Sequence, residues 1–334
     1  MILVIGGSSF IGAYTVRAFL EAGQKVVATG RNPHFEKYYS DLGVPYIPLD
    51  LRSSKDFENL PESGIDCIIL LAAMLPANSH SKLIDSDNSE EYILTNTVGT
   101  AHVLNFCLKH GIRKIISTTS YADVQNKWSQ STPITENTAR DFKLSGDHAA
   151  YIISKNAATD LMLYYNEQHQ MRNSIFRLPP VYGVGPHGSL LDNGKIRKSG
   201  IQIFIDKAKM LEPITVYGDT SAFRDIVYVK DVALAFVKAA CSNSAIGLYN
   251  IGSGSKTSLL EQAETIASIF SPEPPKQSPV KVDPSKPNNI VSYSFDIKKA
   301  QADFGYTPQY PTFKDIMENW KKEENGTFAS LFSQ

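Results

Sequence analysis

Tyr151 and Lys155 stand four residues apart in AAYIISKNAATDLMLYY, and on a helix that spacing sets both on one face. A phenol with a cation beside it is a candidate general base. The ordinary tyrosine pKa is ~10, so service near neutrality needs a fall of roughly 3 units, or ~4 kcal/mol. Taken alone, the pattern also reads as a surface ion-pair spacing. A second stretch opens the chain, where MILVI runs into Gly6-Gly7-Ser8-Ser9-Phe10-Ile11-Gly12. Glycines between a strand and a helix let backbone approach a pyrophosphate, whose charge is favoured at the helix N-terminus. The alternative is a tight turn serving close helix packing. KVVATGRNP ends its strand without the acid that would accept from a ribose 2′-hydroxyl, and it offers Arg31 instead. Arg31 either faces the 2′-phosphate of NADP or is an exposed loop arginine. Asp50 and Leu51, after the third apolar run, are placed to hold an adenine edge.

These residues need elements to position them. Short β-rich runs (MILVI, 25–29, 44–49, 66–72, 113–119, 173–178) alternate with helix-period segments at 11–22, 90–110 and 150–168. Continuous apolar strands between helices predict a parallel sheet covered on both faces, and right-handed crossovers make it doubly wound. Ser120 ends the fifth run, at the carboxyl edge where such sheets bind ligands. After Pro179-Pro180 the pattern loosens. A helix is expected at 203–211, a strand then a helix in IVYVKDVALAF, a strand at 247–252, and a proline-rich loop or linker at 271–287. The final KKEENGTFASLFSQ gives no clear element. The expected fold class is α/β: a doubly wound parallel-sheet Rossmann domain over 1–180 and 226–253, with a smaller mixed α/β substrate lobe over 181–225 and 254–334.

Composition narrows the function classes. The 334 residues are 42% hydrophobic and 20% charged, as in an ordinary soluble globular protein. A net charge of −1 gives no global field for nucleic acid or an anionic membrane, so neither is expected as a partner. The start lacks a basic region and is too short for a signal peptide or a membrane span. Three widely spaced cysteines, two of them in apolar surroundings, predict buried thiols in a reducing compartment, taken as the cytoplasm. Seven scattered histidines show no ligand spacing, and no metal site is expected.

In order along the chain, GGSSFIG, LLAAM, NTVGTAHVLNFCLKHGIRKIISTTS, YIISK, FRLPPVYGVGP and RDIVYVKDVA resemble the extended short-chain dehydrogenase/reductase family. More narrowly they resemble its NAD(P)-dependent nucleotide-sugar epimerases and dehydratases. The similarity runs on through YNIGSG to DIKKAQADFGYTP. It implies NAD or NADP held by Gly6, Ser8, Ser9, Phe10, Ile11, Gly12, Leu71, Ala72, Ala73 and Leu178, with Lys155 reaching the nicotinamide ribose. Tyr151 would be the base, Ser120 the hydroxyl that bonds the sugar oxygen (Thr119 the adjacent alternative), and Asn96 the support of the lysine. Arg224 would meet the diphosphate of a nucleotide sugar, or else pair with its surface neighbour Asp225. Val216-Tyr217-Gly218 would line the nucleoside, Lys286 would make a second phosphate contact, and Pro180 would lie near the sugar nucleotide.

Departures from the resembled pattern carry information. The acid pair that 4,6-dehydratases place after their threonine is missing, since Tyr121-Ala122 follow Ser120, and water elimination needs such an acid and base. A 4-epimerase is therefore expected. A 4-keto-sugar reductase using NADPH is the rival, and a catalytically idle dinucleotide-binding protein the more distant one. The insertion 126–150 is expected to form a loop over the sugar, with Trp128, Phe142 and His148 contacting substrate or packing the loop. Relatives suggest a homodimer through the helices at 90–110 and 150–168.

Overall fold

The computed structural model describes residues 1–76, 88–146, 148–186, 189–192, 195–272, 276–288 and 290–332. The unbroken apolar run at the start forms β1 (Ile2–Ile5), buried along its whole length. Then follow β2 (Val26–Gly30), β3 (Tyr46–Pro48), β4 (Cys67–Leu70), β5 (Ile115–Ser120) and β6 (Ser174–Leu178). Between them run α1 (Phe10–Glu21), α2 (Phe35–Asp41), α3 (Ser89–Tyr92), α4 (Gly99–His110) and α5 (Ala149–His169). The second half adds β7 (Val181–Tyr182), β8 (Ser189–Asp192), β9 (Lys195–Lys198), α6 (Gly200–Lys209), β10 (Ile214–Tyr217), β11 (Phe223–Arg224) and β12 (Val227–Tyr228). It ends with α7 (Val229–Cys241), β13 (Gly247–Asn250), β14 (Thr257–Ser258), α8 (Leu259–Phe270), β15 (Val280–Asp283), α9 (Lys298–Phe304), α10 (Phe313–Glu323) and α11 (Thr327–Phe332).

Seven strands make one parallel sheet in the order β13-β6-β5-β4-β1-β2-β3. The doubly wound α/β fold read from the sequence is the fold observed. Strand alternation sends successive residues to opposite faces. Val4, Ile69, Ile116 and Phe176 pack with Val16 of α1 and Phe236 of α7. Leu3, Ile68, Ile115 and Ile175 pack with Leu104 of α4 and Met162 of α5 on the other side. Full burial of side chains this size stabilises by about 1.5–3 kcal/mol each. The chain winds one way from β1 to β3 and the other way from β4, so a crevice opens above the carboxyl ends of β1 and β4. A third core joins α6, β10, α8 and α10 through Ile205, Val216, Ile266 and Phe313, with Phe10 and Tyr14 of α1 against it.

Several expectations need correction. The polar stretch after β2 folds as α2, because Phe35 and Tyr39 are buried on one side of it. The proline-rich connection is not all linker: Val280–Asp283 pairs in parallel with Ile214–Tyr217. The described part of the tail includes α11, whose Phe328 stacks on Tyr14 at 3.7 Å. The helix expected over 90–110 is interrupted by a π-helical stretch, Ile93–Val98. No helix among the described residues is long and apolar enough to cross a membrane.

Candidate active site

The turn after β1 is built around missing side chains. Gly6 has φ +92°, and a Cβ there would lie 2.4 Å from the backbone nitrogen of Ala72. A Cβ on Gly12 would lie 2.1 Å from the carbonyl oxygen of Gly6. Ser9 caps α1: its Oγ accepts from the Gly12 N–H at 3.1 Å and donates to the Gly6 carbonyl at 2.7 Å. Such a cap is worth about 1 kcal/mol. Leu71 and Ala72, leaving β4, both donate to the Ile5 carbonyl, at 2.8 and 2.9 Å, so they and Ala73 border the same crevice. Sequence reasoning missed the buttress beneath this turn. Tyr39 donates to the Gly7 carbonyl at 2.5 Å, and Gly30 leaves the space that Ser8 Oγ occupies.

A dinucleotide fits this cradle. Its narrowest points are places that a Cβ would fill, and Thr29 Oγ1 at the end of β2 is buried with no partner among the described residues. Ser8, Ser9 and Ile11 are half-buried at the turn. The side chains of Phe10, Leu51 and Leu178 are buried in cores, so these three would offer backbone or packing and not an exposed contact. Arg31 is 70% exposed, with its guanidinium 3.9 Å from Asp50. Asp50 is held below the usual carboxylate range chiefly by Arg52, which binds it through two nitrogens.

Tyr151 and Lys155 share a face of α5 as the spacing predicts. Burial pushes the Tyr151 phenol well above its ordinary value, and Tyr121 and Tyr92 add to this. Burial also pushes the Lys155 ammonium down to about 8. Both groups resist their charge here, so a phenolate at Tyr151 needs positive charge beside it beyond what Lys155 supplies.

Asn96 is buried in the π-helical stretch. Its Oδ1 accepts from Met74 N–H at 2.7 Å, and its Nδ2 donates to the Met74 carbonyl at 3.1 Å and to Ser154 Oγ at 2.9 Å. Both amide hydrogens are used, and the bond to Ser154 links Asn96 to the immediate neighbour of Lys155. At the end of β5, Ser120 Oγ accepts from the Ala122 N–H at 3.2 Å. Thr119 points to the opposite face, and its Oγ1 is buried without a partner among the described residues.

Arg224 lies beside Tyr182, Tyr121 and Tyr293, with its Nε buried and without a partner among the described residues. The alternative of a surface pair with Asp225 is excluded. Asp225 is fully buried and accepts from Ser253 N–H, Ser253 Oγ–H and Phe295 N–H, each at 3.0 Å. Burial pushes its carboxyl up to about 7. The Val216 side chain is buried in the third core, which corrects the expectation that it lines a nucleoside. Tyr217 stays exposed, with Lys286 Nζ 5.1 Å above its ring, so these two do come together. Pro180 is half-buried and accepts from Val227 N–H at 3.1 Å.

The insertion after Ser120 is anchored to the body of the protein. Ile134 is buried and bridges Phe295, while Thr135 and Asn250 accept from Arg177. Arg177 and Asp123 form a fully buried ion pair at 2.9 Å, which no motif predicted. Trp128 packs on Tyr121 and Tyr293, Phe142 is half-buried, and His148 is exposed at the start of α5. A cleft of about 620 Å³ between α1, α7 and the α10–α11 region contains none of these residues. Chemistry rather than volume therefore identifies the site.

Comparison with known proteins bears on the family and the fold. Residues 2–252 match the family model described as the NAD dependent epimerase/dehydratase family. The UDP-glucose 4-epimerase of Halalkalibacterium halodurans is 25% identical over 345 residues, covering 96% of each chain. UDP-glucuronic acid decarboxylase 1 of Arabidopsis thaliana is 26% identical over 322 residues, covering 92% of this chain and 66% of its own. Among solved structures, the Thermus thermophilus UDP-glucose 4-epimerase in complex with NAD superposes with a TM-score of 0.74 at 22% identity, covering 98% of this chain and 99% of its own.

Proposed function

The chain belongs to the NAD dependent epimerase/dehydratase family, and on that premise we propose that it is a nucleotide-sugar 4-epimerase, inverting one ring hydroxyl without net oxidation of the sugar. The observation that carries the reading is the face of α5 on which Tyr151 and Lys155 stand together, packed toward the hydroxyl-bearing end of β5. When bound, the dinucleotide supplies the hydride acceptor and donor. Tyr151 takes the proton of the ring hydroxyl and returns it; burial keeps the phenol protonated until positive charge arrives beside it. Lys155, brought to about 8, is the protein's share of that charge and the contact to the nicotinamide ribose. Ser120 already accepts from Ala122, which leaves its O–H to donate to the sugar oxygen. Thr119, on the α5 face, is the alternative. Arg224 meets the diphosphate with its unpartnered nitrogen, and Lys286 with Tyr217 stands at the nucleoside end.

We take NAD as the preferred dinucleotide. The family model that the chain matches is NAD dependent, and Asp50 already engages Arg31 at 3.9 Å, leaving it less free for a 2′-phosphate. One observation favours the NADPH-dependent 4-keto-sugar reductase instead: β2 ends in Gly30 and an exposed Arg31, without an acid. Segments 1–180 and 226–253 form the dinucleotide lobe in this reading, and 181–225 with 254–334 the nucleotide-sugar lobe. The buried thiols Cys67 and Cys107 suit a reducing cytoplasm. Two copies would pair through α3–α4 and α5, where Leu94, Leu108, Ile153 and Tyr164 are exposed. The test of the reading is epimer formation without net change in the cofactor, from the wild type and not from Tyr151→Phe.

A further inference from the structure

The residue after Ser120 is aromatic, and its surroundings give it a use that the sequence motifs do not. Tyr121 opens a 3-10 helix, Tyr121–Lys127. Its ring stacks on Trp128, with centroids 5.4 Å apart and planes 8° apart, and on Tyr293 at 5.5 Å and 22°. Trp128 and Tyr293 stack on each other at 4.7 Å. Tyr293 is fully buried and packs on Phe295, so the pile is anchored from within. Tyr121 is half-buried. Its hydroxyl has no hydrogen-bond partner among the described residues, and it lies within electrostatic reach of both Tyr151 and Arg224.

We infer that Tyr121 is a specificity-determining residue of the sugar subsite: its ring, braced by Trp128 and Tyr293, is the face a pyranose lies against, and its hydroxyl bonds a sugar oxygen between the reacting carbon and the diphosphate. The inference rests on the nucleotide-sugar reading above. An aromatic face suits the C–H side of a pyranose, and one placed polar tip fixes its orientation. In that reading Tyr151 and Arg224 mark the two ends of the span a glycosyl group must cross; Tyr121 follows Ser120 directly and stacks on Tyr293, which forms a backbone bridge with Arg224. Its phenol is kept neutral by burial, so it holds a hydroxyl by hydrogen bonding without abstracting a proton as a carboxylate there would. The Trp128 indole N–H, buried and without a partner among the described residues, supplies a second donor at the same wall.

Calorimetry on the full chain tests this, with UDP-glucose and dTDP-glucose each set against its free nucleoside diphosphate. Tyr121→Phe keeps the ring pile and removes the hydroxyl. It should weaken nucleotide-sugar binding by about tenfold while changing diphosphate binding by less than about twofold. Tyr121→Ala should widen that gap, again with the diphosphate little affected. Equal losses for sugar and diphosphate would make Tyr121 a structural residue only, and no loss in either variant would remove it from the site. If the wild type binds neither sugar more tightly than its free diphosphate, the nucleotide-sugar reading itself fails, and this inference with it.

Discussion

Asn96 Nδ2 donates to Ser154 Oγ at 2.9 Å, tying the π-helical stretch before α4 to the turn of α5 that carries Lys155. π-Bulges recur at functional sites, and here the distortion turns both Asn96 and Thr97 onto α5, Thr97 donating to the Ser154 carbonyl at 3.0 Å. In the proposed reading Asn96 positions Lys155 through this bond. Asn96→Ala frees Met74 and Ser154 together and should lower kcat by about a hundredfold. KM for the sugar nucleotide and Kd for NAD should stay within about threefold, since no contact to either is removed. An unchanged kcat would show that α5 needs no such tether.

Lys155 gives a pH signature. Its folded pKa of about 8 lies below the ordinary 10.5, so burial of the ammonium costs stability in full at neutral pH. Between about 8 and 10.5 the unfolded chain holds the proton that the folded chain has lost, so this cost fades as pH rises. Lys155→Met should therefore be inactive yet more stable than wild type at neutral pH, by at most about 3 kcal/mol. Denaturant titrations across pH would show the gap closing toward the upper end of that window. A gap that persists there would point to packing instead of charge.

The Asp123–Arg177 pair holds the segment after Ser120 against β6. Asp123→Ala strands a buried guanidinium and should cost about 3–5 kcal/mol. In a double-mutant cycle with Arg177→Met, a coupling of about 1–3 kcal/mol is expected. Additive losses would mean the two residues contribute separately.

The exposed face of α5 makes the proposed dimer testable. Ile153 and Tyr164 are 43% and 53% exposed. Light scattering should give the wild type twice the mass of one chain, and Ile153→Glu with Tyr164→Glu should give one. A monomeric wild type would remove this pairing from the account.

Much of this arrangement was legible in the sequence because it is local. Gly6, Ser9 and Gly12 form one strand-to-helix turn, and Tyr151 with Lys155 one helix face; spacing alone fixes both. What escaped depends on distant segments. Tyr121 meets Tyr293, Asp123 meets Arg177, and Asn96 meets Ser154, and none of these pairings has a periodicity to reveal it. Val216 was misread because a strand within a small lobe buries alternate residues, and Val280–Asp283 because its partner lies more than sixty residues earlier.

The most direct measurement incubates the protein with NAD and UDP-glucose, UDP-galactose or their N-acetylated counterparts. Products are separated by chromatography while the absorbance of reduced nicotinamide is followed. The account predicts a C4 epimer from at least one sugar with no net build-up of reduced cofactor, and at least a hundredfold loss in Tyr151→Phe, about the smallest effect of removing a general base. Epimer formation within a fewfold of wild type by Tyr151→Phe would contradict it, as would NADPH-driven reduction of a 4-keto sugar nucleotide with no epimer from any donor.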